Sequence, residues 1–137
     1  MLRAETRSRA RALQLLYAWE LQGRPALDGV AFGVARLIGP GPTVFDGAEV
    51  LARGVVGGLA PLDRLVGEAA ENWRLERIGL VERNILRLGI LELQAGQVPP
   101  KTCIDEAVTL AHWFGGARAP AFVNGVLDRI ARTLGRL

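Results

Sequence analysis

Residues 80–95 read Leu80-Val81-Glu82-Arg83-Asn84-Ile85-Leu86-Arg87-Leu88-Gly89-Ile90-Leu91-Glu92-Leu93-Gln94-Ala95. No proline interrupts the run. Ile85, Leu86, Leu88, Ile90, Leu91 and Leu93 point in nearly every direction around a 3.6-residue period, which predicts a central helix buried on most sides. Arg87 and Glu92 are its polar interruptions. A charge in such a helix must be paired or reach solvent, so both read as structural ion pairs or helix-edge groups rather than as catalysts.

Working outward from this helix, the same periodicity recurs on both sides. Pro99 and Pro100 are expected to end it, and Thr102 with Asp105 three residues on forms a capping box for the next helix. Ile104, Ala107, Val108, Ala111 and Phe114 line the inner face of that helix, and Gly115-Gly116 closes it. Pro120 suits the first turn of a last helix, whose apolar stripe is Phe122, Val123, Val126, Leu127, Ile130 and Leu134. Asn124 within that stripe reads as a hydrogen-bonding group between elements, with Gly125 permitting close approach. Upstream, residues 5–22 predict a helix with Leu13, Leu16 and Tyr17 on one face and Arg3, Arg7 and Arg11 on another, stopped by Gly23 and Pro25. Residues 27–38 form a second helix before the break Gly39-Pro40-Gly41-Pro42. Asp46 with Glu49 opens a helix over 46–59 that uses Val50, Leu51, Val55 and Leu59. Pro61 opens another, with Leu62, Leu65, Val66 and Ala69 inward and Trp73 near its end. Gly54, Gly57, Gly58 and Gly67 weaken these two helices by about 1 kcal/mol each relative to Ala. No alternating, β-branched runs occur. The expectation is an all-α fold of about seven helices. They form one domain over 1–137, built as two packed bundles, the N-terminal one over about 1–73 and the C-terminal one over about 74–137.

The 137 residues, half of them hydrophobic, suit one globular domain and exclude general disorder. A single Cys and a single His allow neither an internal disulfide nor a zinc site of the usual kind. Glycine-rich nucleotide loops, zinc-protease helices and nucleophile elbows are all missing, so the chain is expected to be no enzyme and to hold no cofactor or metal. Cys103, in the first turn of its predicted helix, would have a somewhat stabilised thiolate, but no base accompanies it. His112 beside Trp113 reads as a packing or surface residue. No leader or bilayer-spanning run is evident, and a lone cysteine suits a reducing compartment, so the expected location is the cytoplasm with no membrane partner.

The net charge of +3 hides a division. Residues 1–11 carry +3, residues 46–106 carry −3, and residues 118–137 carry +3. Arg3, Arg7, Arg9 and Arg11 are the strongest functional signal, because a guanidinium fork suits phosphate and helix-spaced arginines can follow a nucleic-acid backbone. Three phosphate contacts on a single strand imply a salt slope of about −2, or roughly a 16-fold loss from 50 to 200 mM salt. Such a patch binds weakly by itself and would benefit from a partner protein.

Three stretches together resemble the NusB transcription antitermination factor family. They are Arg7-Ser8-Arg9-Ala10-Arg11-Ala12-Leu13-Gln14-Leu15-Leu16-Tyr17, then Val81 through Leu93, then Ile104-Asp105-Glu106-Ala107-Val108-Thr109-Leu110-Ala111 with Phe114-Gly115 and Phe122-Val123-Asn124-Gly125-Val126-Leu127-Asp128. The resemblance implies a double helical bundle without catalysis. It implies binding of boxA RNA together with NusE, a small-subunit ribosomal protein, within an RNA polymerase antitermination complex that transcribes rRNA operons. It places Arg3, Arg7, Arg9 and Arg11 on RNA phosphates. Phe114 and Arg118 extend that surface, with Phe114 reading alternatively as core. Tyr17, Glu76 and Glu82 fall on the NusE-facing surface, where acidic groups suit a basic protein. A related alternative is a stand-alone version of the NusB-like module that precedes some rRNA cytosine methyltransferases. Glu5-Thr6, His112-Trp113 and the Gly-Pro run depart from the family pattern. Some members are dimers, and the sequence leaves the oligomeric state open.

Overall fold

The computed structural model describes residues 4–30, 42–70 and 73–137, with side chains of the helix that opens at residue 42 described from 47 onward. The elements are α1 (Ala4–Leu21), α2 (Pro42–Gly57), α3 (Leu59–Ala69), a 3-10 turn (Leu75–Arg77), α4 (Leu80–Ala95), α5 (Pro100–Phe114) and α6 (Ala119–Thr133). A further helical stretch opens at 27–30, where Leu27 and Val30 are buried. The rest of the expected helix over 27–38, and the Gly39–Gly41 break, lie outside the described residues. Among the described residues there is no strand, as the periodicity predicts.

The central position of α4 follows from its sequence. Every residue from 84 to 90 is buried, and so is Leu93. Apolar side chains on all sides demand neighbours on all sides, and α1, α2, α3, α5 and α6 all pack against it. Two glycines set how closely they approach. A Cβ on Gly89 would lie 2.7 Å from Leu127 on α6, and one on Gly54 would lie 2.8 Å from Leu91. Gly54, which weakens α2 locally, is thus what lets α2 lie against α4. Gly89→Ala is expected to lower stability by about 1–3 kcal/mol through overpacking. A urea midpoint equal to that of the parent would show that α4 and α6 can separate at no cost.

Helix ends depart from the sequence reading where proline is involved. α2 begins at Pro42, four residues before Asp46, and α5 begins at Pro100, with Thr102 already inside it and no side-chain cap bond. Proline has its φ preset for the first helical position and lacks the N–H that would be unsatisfied there, so it starts both helices ahead of the expected caps. α4 stops at Gly96 (φ 71°), not at the prolines beyond it. The end of α1 agrees with expectation: Gly23 has φ 81°, its N–H donates to Glu20 O (3.1 Å), and Arg24 N–H donates to Trp19 O (2.9 Å). This is the paired closure that a left-handed glycine permits.

Some faces also differ. α1 buries Ala12, Leu13, Leu15, Leu16 and Trp19, and leaves Tyr17 40% exposed. On α2 the buried residues are Ala48, Ala52 and Val55, while Val50 faces solvent. Small residues serve there because α2 packs tightly on α1; a Cβ on Gly47 would lie 2.9 Å from Ser8 Oγ. Trp73 lies past the end of α3, which stops at Ala69. Asn124 and Gly125 are exposed, and nothing lies within 4 Å of a Cβ placed on Gly125, so this pair does not bridge elements.

Two ion clusters cross the core. The Arg87 side chain is fully buried; its Nε and Nη2 donate to Asp63 on α3 (2.6 and 3.0 Å), and its Nη1 donates to Asn84 (2.9 Å) and to Glu20 on α1. Arg9 on α1 donates through Nε and Nη2 to Glu92 on α4 (both 2.7 Å) and through Nη1 to Glu106 on α5 (2.8 Å), which also accepts from Thr6 Oγ1 (2.7 Å). Both polar positions of α4 are thus structural ion pairs.

Candidate nucleic-acid interface

The RNA-contact candidates separate by geometry. Arg3 lies outside the described residues. Arg7 is exposed, and Arg11, one turn on, is half-buried and donates to Gln14 (2.8 Å). Arg9 points the other way. It is buried, and Nε, Nη1 and Nη2 are all committed to carboxylates. The hydrogen bonds it donates to Glu92 raise its pKa above the ordinary value against the cost of burial, with both glutamates adding charge attraction. With every guanidinium nitrogen bonded to a carboxylate, this cation is turned into the structure rather than toward solvent, and its place is as a tether for α1.

Phe114 and Arg118 come together at the turn between α5 and α6. Phe114 is 39% exposed, which corrects the core alternative. As the last residue of α5 it projects past the neighbours that would cover it. The turn has little freedom: a Cβ on Gly115 would lie 2.6 Å from the Ala119 Cβ and 2.8 Å from Ala111 O. Glu82, in the first turn of α4, accepts the Gly116 N–H (3.2 Å). One of the partner-facing candidates therefore touches the turn that carries two RNA-facing ones. Glu76 is exposed in the 3-10 turn, and Tyr17 is exposed on α1.

Beside that turn lies a groove of about 370 Å³ whose lining includes Trp73, Arg77, Glu82, Arg118 and Phe122. Trp73 is 54% exposed and meets Phe122 edge to face, with ring centroids 6.1 Å apart. Aromatic faces beside guanidinium groups are what an unpaired nucleotide requires, a surface to stack on and a charge for its phosphate. Sequence reading overlooked Trp73, Arg77 and Phe122 because it placed Phe122 in a helical stripe and Trp73 near a helix end. The signal available was Trp73 interleaved with Arg74 and Arg77.

No other chemistry competes. The Cys103 thiol is buried, and burial, reinforced by the charge of Glu92, pushes its pKa up, opposite to the stabilisation expected at a helix start. Among the described residues no cluster of His, Cys, Asp and Glu could hold a metal ion, and no helix is long and apolar enough to cross a membrane.

An all-α chain whose groove sets exposed arginines beside aromatic rings has the surface of a binding protein. Residues 6–132 match the NusB family model. The chain is 44% identical to the transcription antitermination protein NusB of Sorangium cellulosum over 98% of this chain and 96% of the relative. It is 41% identical to that of Anaeromyxobacter dehalogenans over 98% and 94%. Its fold is similar to T. maritima NusB (TM-score 0.82, 30% identity, 96% of this chain and 93% of the other). It is also similar to a chain in the structure of antitermination factors NusB and NusE with double-stranded RNA (TM-score 0.84, 27% identity, 97% and 99%). This chain belongs to the NusB family, whose members are non-enzymatic, RNA-binding antitermination factors.

Proposed function

We propose that this protein promotes processive rRNA transcription by binding boxA-type RNA together with NusE, within the RNA polymerase antitermination complex of the cytoplasm. The observation that carries this reading is the turn after α5. There Phe114 is exposed at the end of α5, Arg118 lines the Trp73–Phe122 groove, and Glu82 holds the turn in place. Arg3, Arg7, Arg11, Phe114 and Arg118 contact RNA; Tyr17, Glu76 and Glu82 contact NusE, and Arg9 seats α1. The RNA and protein surfaces meet at Glu82, so a basic partner docked there would extend the same strand-binding surface. The methyltransferase-associated alternative is disfavoured, because the antitermination relatives are covered over nearly their whole length by this one domain.

The test measures boxA RNA affinity over a range of salt, with and without NusE. NusE should tighten binding, and Arg7→Ala with Arg118→Ala should reduce the salt slope by about 1.4, about 0.7 for each phosphate lost from a single strand. Unchanged affinity in both comparisons would remove the basis of the reading.

A further inference from the structure

Trp113 has no role in anything described so far, yet it is 44% exposed at the end of α5. Its ring meets Phe114 edge to face, with centroids 6.3 Å apart and planes at 81°. Two aromatic rings therefore stand open to solvent side by side, where an exposed Trp forgoes the stabilisation that burial brings. The turn beside them carries the Arg118 guanidinium and the Glu82 carboxylate, the latter accepting the Gly116 N–H. Residues 107–117 contain no formal charge, and Arg118 follows in the turn, exposed. The carboxylates closest in sequence on the N-terminal side are committed elsewhere or remote: Glu106 is held by Arg9 and Thr6, and Asp105 lies two turns back.

We infer that Trp113 and Phe114 form a two-ring platform on which unpaired bases of single-stranded RNA stack while Arg118, in the turn that follows, holds a phosphate. This rests on the RNA-binding reading above and assigns it a residue. Stacking on an aromatic face is indifferent to base identity, so the platform contributes affinity and selects unpaired over paired strands.

The experiment compares the parent with Trp113→Ala and Trp113→Phe on short single-stranded oligoadenylate and on a duplex of equal length. Trp113→Ala should bind the single strand about 5- to 100-fold more weakly, with the salt slope unchanged because a neutral ring releases no counterions. Trp113→Phe should retain most of the affinity, and duplex binding should not change. Oligoadenylate should quench a tryptophan emission that Trp113→Phe lacks. Single-strand affinity within twofold of the parent for Trp113→Ala, an equal loss on the duplex, or a loss confined to NusE binding would overturn the platform. A parent that binds neither RNA would instead overturn the functional reading itself.

Discussion

Arg87→Ala is expected to lower the free energy of unfolding by about 3–5 kcal/mol, the usual consequence of removing one partner from a buried ion cluster. The guanidinium is fully buried and satisfies Asp63, Glu20 and the Asn84 carbonyl at once. Its loss would leave two carboxylates facing a cavity. Burial pushes the Glu20 carboxyl up, but hydrogen bonds and charge from Arg87, with Arg24 adding, hold its pKa below the ordinary value. Its stabilising contribution is therefore complete above the ordinary carboxylate pKa and is lost as the pH falls through the lower, folded value. Chemical denaturation at neutral and acid pH would show a large gap between parent and variant at neutral pH that narrows in acid. A gap below about 1 kcal/mol at neutral pH would mean that water replaces the guanidinium freely.

Arg9→Ala should also destabilise strongly, by about 3 kcal/mol or more, because Glu92 and Glu106 would be left without their cation. Weakened RNA binding by that variant alone would not separate a contact from a support. Replacing Arg9 by Met and both Glu92 and Glu106 by Leu does separate them, since an apolar substitute for a buried ion cluster is often neutral or stabilising. The triple variant is expected to recover the stability of the parent and to bind RNA with an unchanged salt slope. If the slope instead fell by about 0.7, Arg9 would be making a phosphate contact.

Much of the fold could be read from side-chain spacing, because a helix wrapped by neighbours must be apolar all round. Residues 84–90 carry that signature without ambiguity. Spacing is less informative about where helices end. Asp46 and Thr102 look like caps, but Pro42 and Pro100 lie upstream and start the helices first. It also cannot say whether the last residue of a stripe is covered, and Phe114 is not. The charge count found the basic opening segment correctly but treated its four arginines alike. Arg9 is neutralised by residues 83 and 97 positions away in sequence, a pairing that no local pattern reveals. Trp73 and Phe122 were hidden for a similar reason: one ring fits a helical stripe, the other sits near a helix end, and their meeting at a groove is a contact between residues far apart in sequence.

The tethering of α1 has a consequence for the order in which the protein can be made. α1 is made before α4 and α5, yet the carboxylates that seat it belong to those later helices. Glu92 on α4 takes two of the three ionic hydrogen bonds of Arg9 and Glu106 on α5 takes the third, so α1 cannot be fully seated until α5 has been synthesised.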